Sequence, residues 1–142
     1  MTVTTELPEA VARNGAAADR DFVRNVHAPY AARRFARAQL LAWGVPGLID
    51  ACEVVVSELA TNAVEHGTGE FIGVRLERRR DGVITVKVWD ANGAALPEAA
   101  APADVLSENG RGLLLTEALS EAWGSYRVRP AGKVIWARIT CR

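Results

Sequence analysis

The stretch Ser57-Glu58-Leu59-Ala60-Thr61-Asn62-Ala63-Val64-Glu65-His66-Gly67 constrains the fold more than any other. It begins as an amphipathic helix and stops at a glycine. Glu58, Asn62 and His66 follow one another at i, i+4 and i+8, so they line one helical face. Cys52, Val55, Val56, Leu59 and Ala63 form a neighbouring apolar stripe that packs inward. An acid one turn from an amide, beside a core-packing stripe, can hold a hydrated magnesium ion and activate a hydroxyl. Magnesium takes few protein ligands and completes its shell with water and phosphate oxygens. The pair therefore points to a nucleotide site, provided that phosphate-binding elements follow.

Two further motifs follow. Glu108-Asn109-Gly110-Arg111-Gly112-Leu113-Leu114-Leu115 places glycines ahead of an apolar helical run. Glycine lets the backbone approach a ligand, and a helix start offers free N–H groups and the positive end of a dipole. Between the motifs, Val86-Lys87-Val88-Trp89-Asp90-Ala91-Asn92-Gly93 reads as a strand ending in a carboxylate and a turn. A buried carboxylate there can accept from an amino group such as that of adenine. Each motif alone also has a plain reading: a solvated helix edge, a helix cap, a strand-ending turn. Their order and spacing carry more than any one of them.

Together these residues resemble the histidine-kinase-like (GHKL) ATPase superfamily, in its anti-sigma factor serine/threonine kinase branch. Ser57–Gly67 resembles the family's N-box. Asp90–Gly93 stands where its adenine-reading aspartate box belongs, and Gly110-Arg111-Gly112-Leu113 resembles the glycine box that closes the ATP lid. Ala31-Ala32-Arg33-Arg34-Phe35-Ala36, Trp43-Gly44-Val45, Trp123-Gly124 and Gly132-Lys133-Val134-Ile135-Trp136 extend the likeness over about residues 28–140. The resemblance implies ATP and magnesium as cofactors. It implies that Asn62 ligates the metal, that Glu58 orients or deprotonates the attacking hydroxyl, and that Asp90 receives the adenine amino group through a bridging water. Gly93 belongs to the aspartate box; Gly110 and Gly112, with Arg111 and Leu113 in the same box, bring backbone N–H groups to the phosphates. His66 matches a family position too, but reads as a residue serving the helix end. The implied partners are a sigma factor and an anti-anti-sigma antagonist protein, with homodimerisation through the N-terminal region.

Three departures are visible. The aspartate box is usually D-x-G, whereas here Gly93 comes one place late. Many relatives carry a threonine near the aspartate in the final strand; Val134 takes the matching place and cannot donate a hydrogen bond. Residues 94–109, the lid, are alanine-rich and hold no lysine or arginine before Arg111.

A length of 142 residues suits one domain. The 17 basic and 17 acidic residues cancel, which leaves no general pull toward nucleic acid or membrane. Arg78-Arg79-Arg80 precedes the turn signal Asp81-Gly82 and reads as a solvated strand end. Cys52 and Cys141 form no C-x-x-C and read as core or near-core thiols. No apolar run spans a bilayer and no signal peptide core opens the chain, so a cytoplasmic protein is expected.

The expected layout is a flexible segment 1–20 and a domain 21–142. Within the domain, Asp21–His27 reads as a short strand. A helix runs from Ala28 to about Trp43 and stops at Gly44, and the N-box helix covers about 48–66. Strands follow at about 71–79 and 83–90, joined by a turn at Arg80–Gly82. A long loop over 94–109 leads to a helix over 111–121, then to strands near 123–129 and 133–140. Helices over one face of a mixed, mostly antiparallel sheet make an α/β two-layer sandwich. Two functions of different class fit this layout: a protein kinase acting on the antagonist, and a module that sequesters a regulator with nucleotide as a structural ligand. A domain that no longer binds nucleotide is a third.

Overall fold

The alternation in Val83–Trp89 lies at the centre of a sheet. The computed structural model describes residues 15–93 and 114–140. Five strands are found there: β1 (Gly15–Val23), β2 (Phe71–Arg79), β3 (Ile84–Asp90), β4 (Ala122–Arg127) and β5 (Lys133–Ile139). They lie in the order β1-β2-β3-β5-β4, and each neighbouring pair is antiparallel. Because strand side chains alternate, the register puts Ile72, Val74 and Leu76, Ile84, Val86 and Val88, and Ile135, Ala137 and Ile139 on one face. All nine are at most 3 % exposed.

Two long helices cover that face, so the architecture is the α/β two-layer sandwich. Helix α1 (Ala28–Ala42) turns inward a stripe of Ala28, Ala32, Ala36 and Leu40, and α2 (Ile49–His66) turns inward Cys52, Val55, Val56, Leu59, Ala60 and Ala63. The small residues of α1 let it lie close against α2. Pro29 opens α1, where a missing N–H costs nothing. Gly44 closes it with φ +72°: its N–H donates to Leu41 O at 3.1 Å and the Val45 N–H to Leu40 O at 3.1 Å, a glycine cap that satisfies the last carbonyls. A short 3₁₀ turn, Pro46–Leu48, leads into α2. No described helix is long and apolar enough to cross a membrane.

The structure departs from expectation at two places, the extent of the first strand and the surroundings of Arg78. Strand β1 runs over Gly15–Val23, not Asp21–His27, and pairs along its whole length with β2, from Gly15 opposite Arg79 to Val23 opposite Phe71. Residues 15–20 thus belong to the sheet; residues 1–14 lie outside the described part. An edge strand buries little, so its polar sequence carries weak apolar alternation, and pairing with β2 decides its extent. In the basic triplet, Arg79 and Arg80 are exposed, as expected, but Arg78 lies over the Trp43 ring, 5.9 Å from its centroid. Residues 114–119 are helical, and 111–113 lie outside the described part. There Thr116 is buried, whereas Leu114 and Leu115 are 49 % and 42 % exposed.

The opposite sheet face is polar. Arg75 reaches Glu77 at 2.7 Å and Asp19 at 2.8 Å, and Lys87 reaches Glu77 at 3.1 Å. Beside them Trp89, Tyr126, Val128 and Val134 line a cleft of about 300 Å³.

Candidate functional site

The last turn of α2 meets the end of β3. Gly67 follows the helix and its N–H donates to Ala63 O at 3.0 Å. A Cβ at Gly67 would stand 2.8 Å from Asp90 Cγ, so only glycine lets the helix end rest on that carboxylate. The Ala91 N–H donates to Thr68 O at 3.3 Å and holds the two segments together.

Asp90 closes β3 and is 2 % exposed. Its Oδ1 accepts from the Asn92 N–H at 2.7 Å, which forms an Asx turn. Asn92 also donates its side-chain amide to His66 O at 3.2 Å, an orphan carbonyl of the helix end. The residue that delays Gly93 in the D-x-N-G turn therefore ties the turn to α2.

Val134 gives Asp90 no donor, as expected, but its neighbour Lys133 does. Val134 stands opposite Trp89 and faces the polar side with the cleft. Lys133 stands opposite Asp90 on the helix-covered side. Its Nζ lies 3.1 Å from Asp90 Oδ2 and 3.3 Å from Oδ1, and donates to Asn92 O at 3.2 Å. Both side chains are buried, at 5 % and 2 % exposure. Arg127 of β4 holds the next carbonyl, Gly93 O, at 2.7 Å. Sequence reasoning missed Lys133, Asn92 and Arg127. The available signal was parity: Lys133 lies two places before Ile135 and four before Ala137, both core residues.

Glu58 and Asn62 lie on α2, one turn apart. Asn62 is 8 % exposed, and among the described residues its amide has no hydrogen-bond partner. Glu58 is half-buried and likewise has no described partner. Gly67, the contact to Asp90, is five residues beyond Asn62 and nine beyond Glu58. A rise of 1.5 Å per residue puts them roughly 7.5 Å and 13.5 Å back along the helix axis. The two groups and Asp90 are thus strung along one helix, not clustered. His66 is 39 % exposed with Nε2 3.9 Å from Glu65, consistent with a residue of the helix end. Gly110, Arg111, Gly112 and Leu113, and the lid segment 94–109, lie outside the described residues. Among the described residues no three His, Cys, Asp or Glu gather as a metal centre.

The family of the Histidine kinase-like ATPase domain matches residues 23–139. No curated protein matches the sequence. Among solved structures, the chain is similar to one holding the RsbU and RsbW domains of Rv1364c from Mycobacterium tuberculosis, with a TM-score of 0.64 and 20 % identity. That match covers 87 % of this chain but 32 % of the other, so this chain spans about a third of that protein's crystallised length. A chain of the SiaB-SiaC complex from Pseudomonas aeruginosa matches with a TM-score of 0.62 and 17 % identity, over 98 % of this chain and 99 % of that one. At such identities the likeness is one of fold.

Proposed function

This chain belongs to the histidine kinase-like ATPase domain family, and from that premise we propose that it binds ATP with magnesium and phosphorylates a serine or threonine of an antagonist protein. The observation that carries this is Asn62. It is an amide on a residue only 8 % exposed, one turn from an acid, on a helix whose far end rests on the buried carboxylate of Asp90. A base at Asp90 and phosphates beside Asn62 and Glu58 fit the elongated arrangement.

The donor set suits magnesium: one amide oxygen, with phosphate and water to complete the shell. Asn62 would hold the ion, and the ion would neutralise phosphate charge. Glu58 would take the proton of the attacking hydroxyl. The hydroxyl oxygen forms a bond to the γ-phosphorus, the bond to the β–γ bridging oxygen breaks, and ADP leaves. Such transfer depends on positioning and charge compensation more than on covalent chemistry. The biological setting we infer is an anti-sigma factor, with a sigma factor and an anti-anti-sigma protein as partners. The likeness to a chain with an RsbW domain and to a chain solved in a complex supports a protein partner.

Calorimetry with ATP, with and without magnesium, tests the proposal. The native protein binds ATP more tightly with the metal. Asn62→Ala keeps its circular dichroism and loses the magnesium-dependent part, about 10- to 100-fold in affinity. No ATP binding by the native chain, or undiminished Mg-ATP binding by folded Asn62→Ala, overturns it.

A further inference from the structure

The last turn of α2 is held from two sides. A helix leaves its final four carbonyls without partners inside the helix. Here Ala63 O takes the Gly67 N–H at 3.0 Å, and His66 O takes the Asn92 side-chain amide at 3.2 Å. Val64 O takes Nη1 of Arg24 at 2.7 Å, from a residue 40 places earlier that directly follows β1. Resting on the nucleotide reading above, we propose that Arg24 is a positioning residue of the nucleotide site: it sets the end of α2 and the loop beyond it where ligand binding needs them.

Arg24 makes a clasp, not a single cap. Its Nε donates to Gly69 O at 2.7 Å, and its own backbone N–H donates to Glu70 O at 2.8 Å. One residue thus grips the helix end together with the far side of the loop 67–70. Among the described residues it forms no ion pair, so its charge is directed at carbonyls alone. A cation there meets the negative end of the helix dipole, and hydrogen bonds from a charged donor are the stronger kind. The other side of the loop rests on the turn after β3. The Ala91 N–H donates to Thr68 O at 3.3 Å, and a Cβ at Gly69 would stand 2.8 Å from Ala91 Cβ. The loop is therefore fixed between Arg24 and the Asp90–Asn92 turn.

Asn62 lies two residues before Val64, and Glu58 one turn further back. Arg24 reaches this helix through main-chain carbonyls, so its effect is on where the helix stops. Side chains that hold a ligand need a supporting shell that fixes them to a fraction of an ångström. Asn62 sits within the helix's own ladder of hydrogen bonds, whereas the last turn and the loop depend on donors from outside. Loss of Arg24 loosens the end of the site that rests on Asp90 and leaves the metal end in place.

Calorimetry with ATP and hydrogen exchange of the free protein test this together. Arg24→Met keeps the stem and removes every side-chain donor. The folded variant binds ATP at least about 3-fold more weakly than the native chain, within the roughly 2- to 30-fold range of residues that act on a ligand without touching it. The loss is the same with and without magnesium, unlike that of Asn62→Ala, which falls on the magnesium-dependent part. In exchange, the Gly67 and Ala91 amides lose protection while Val86 in β3 keeps it. A folded Arg24→Met that binds ATP within about 3-fold of the native affinity overturns the inference while the nucleotide reading stands. Equal acceleration at Gly67, Ala91 and Val86 also overturns it, because Arg24 then only holds the fold. Should Arg24→Met not fold, Arg24→Lys decides by the same measures: it keeps the charge, but its one nitrogen cannot stand where both Nε and Nη1 do. A native chain that binds no ATP overturns the nucleotide reading itself, and the inference with it.

Discussion

In the proposed reaction Glu58 and Asn62 differ in when they act, and that difference can be measured. A proton acceptor works in the transition state and adds little to ground-state binding. Glu58→Gln keeps the side chain's size but takes no proton. It is expected to bind nucleotide and partner as the native chain does and to lose roughly 10²- to 10⁴-fold in transfer to the antagonist. Labelling of a co-purifying partner from γ-labelled ATP reads this, and equal labelling by the variant removes Glu58 from the role. Cys52 makes a second residue-scale prediction. Burial pushes its thiol from 9.0 up to about 12. In a Cys141→Ser background the native fold should therefore resist thiol reagents at pH 8, whereas the urea-unfolded chain reacts at once. The sign for stability follows. Above pH 9 the unfolded chain loses this proton while the folded chain keeps it, so stability falls as pH rises from 9 toward 12. Denaturant midpoints taken across that range check it. Helical spacing alone exposed Glu58 and Asn62 in the sequence. Lys133 was hidden because its role depends on which β3 residue it pairs with, a relation that no single stretch of sequence contains.

At the scale of elements, α2 is the piece on which the site depends, because its end is the contact to Asp90. Gly67→Ala would place a Cβ 2.2 Å from Ala63 O and 2.8 Å from Asp90 Cγ. Neither backbone nor a buried, ion-paired carboxylate yields easily. The substitution should cost about 1–3 kcal/mol in a urea titration, as overpacking does, and weaken ATP binding as well. A variant with native stability and native affinity would show that the helix end does not seat Asp90. The helices were legible because their apolar stripes recur every three or four residues and glycines punctuate them at Gly44 and Gly67. The inner strands β2, β3 and β5 were legible because they bury one face. Strand β1 was not, because an edge strand such as Gly15–Val23 takes its limits from β2, not from its own alternation.

The whole molecule rests on one layer of contact between sheet and helices. Leu76, fully buried on β2 within the core that α2 covers, is a fair probe of it. Leu76→Ala should destabilise the fold by about 2–5 kcal/mol, read as a shift of the denaturation midpoint without loss of cooperativity. A change under about 0.5 kcal/mol would mean that this layer does not hold the domain. The two-layer class was plain in the order of helical and alternating segments, since that order leaves few ways to bury both apolar stripes. The glycine box lies outside the described residues, so its part in the site rests on Gly110 and Gly112 as motif alone.

The strand order has a further consequence. Strand β3 finishes at Asp90 and β5 begins at Lys133, and the two pair although 43 residues separate them along the chain. One half of the proposed base site thus travels with α2 and β3, and the other half with the β4–β5 hairpin. The line between β3 and β5 is a seam, and the site exists only while the seam is shut. Any strain that parts these strands at their Asp90–Lys133 end would loosen the grip on a ligand at the proposed site. Ligand retention is then a gauge of how firmly the two portions of the sheet are joined.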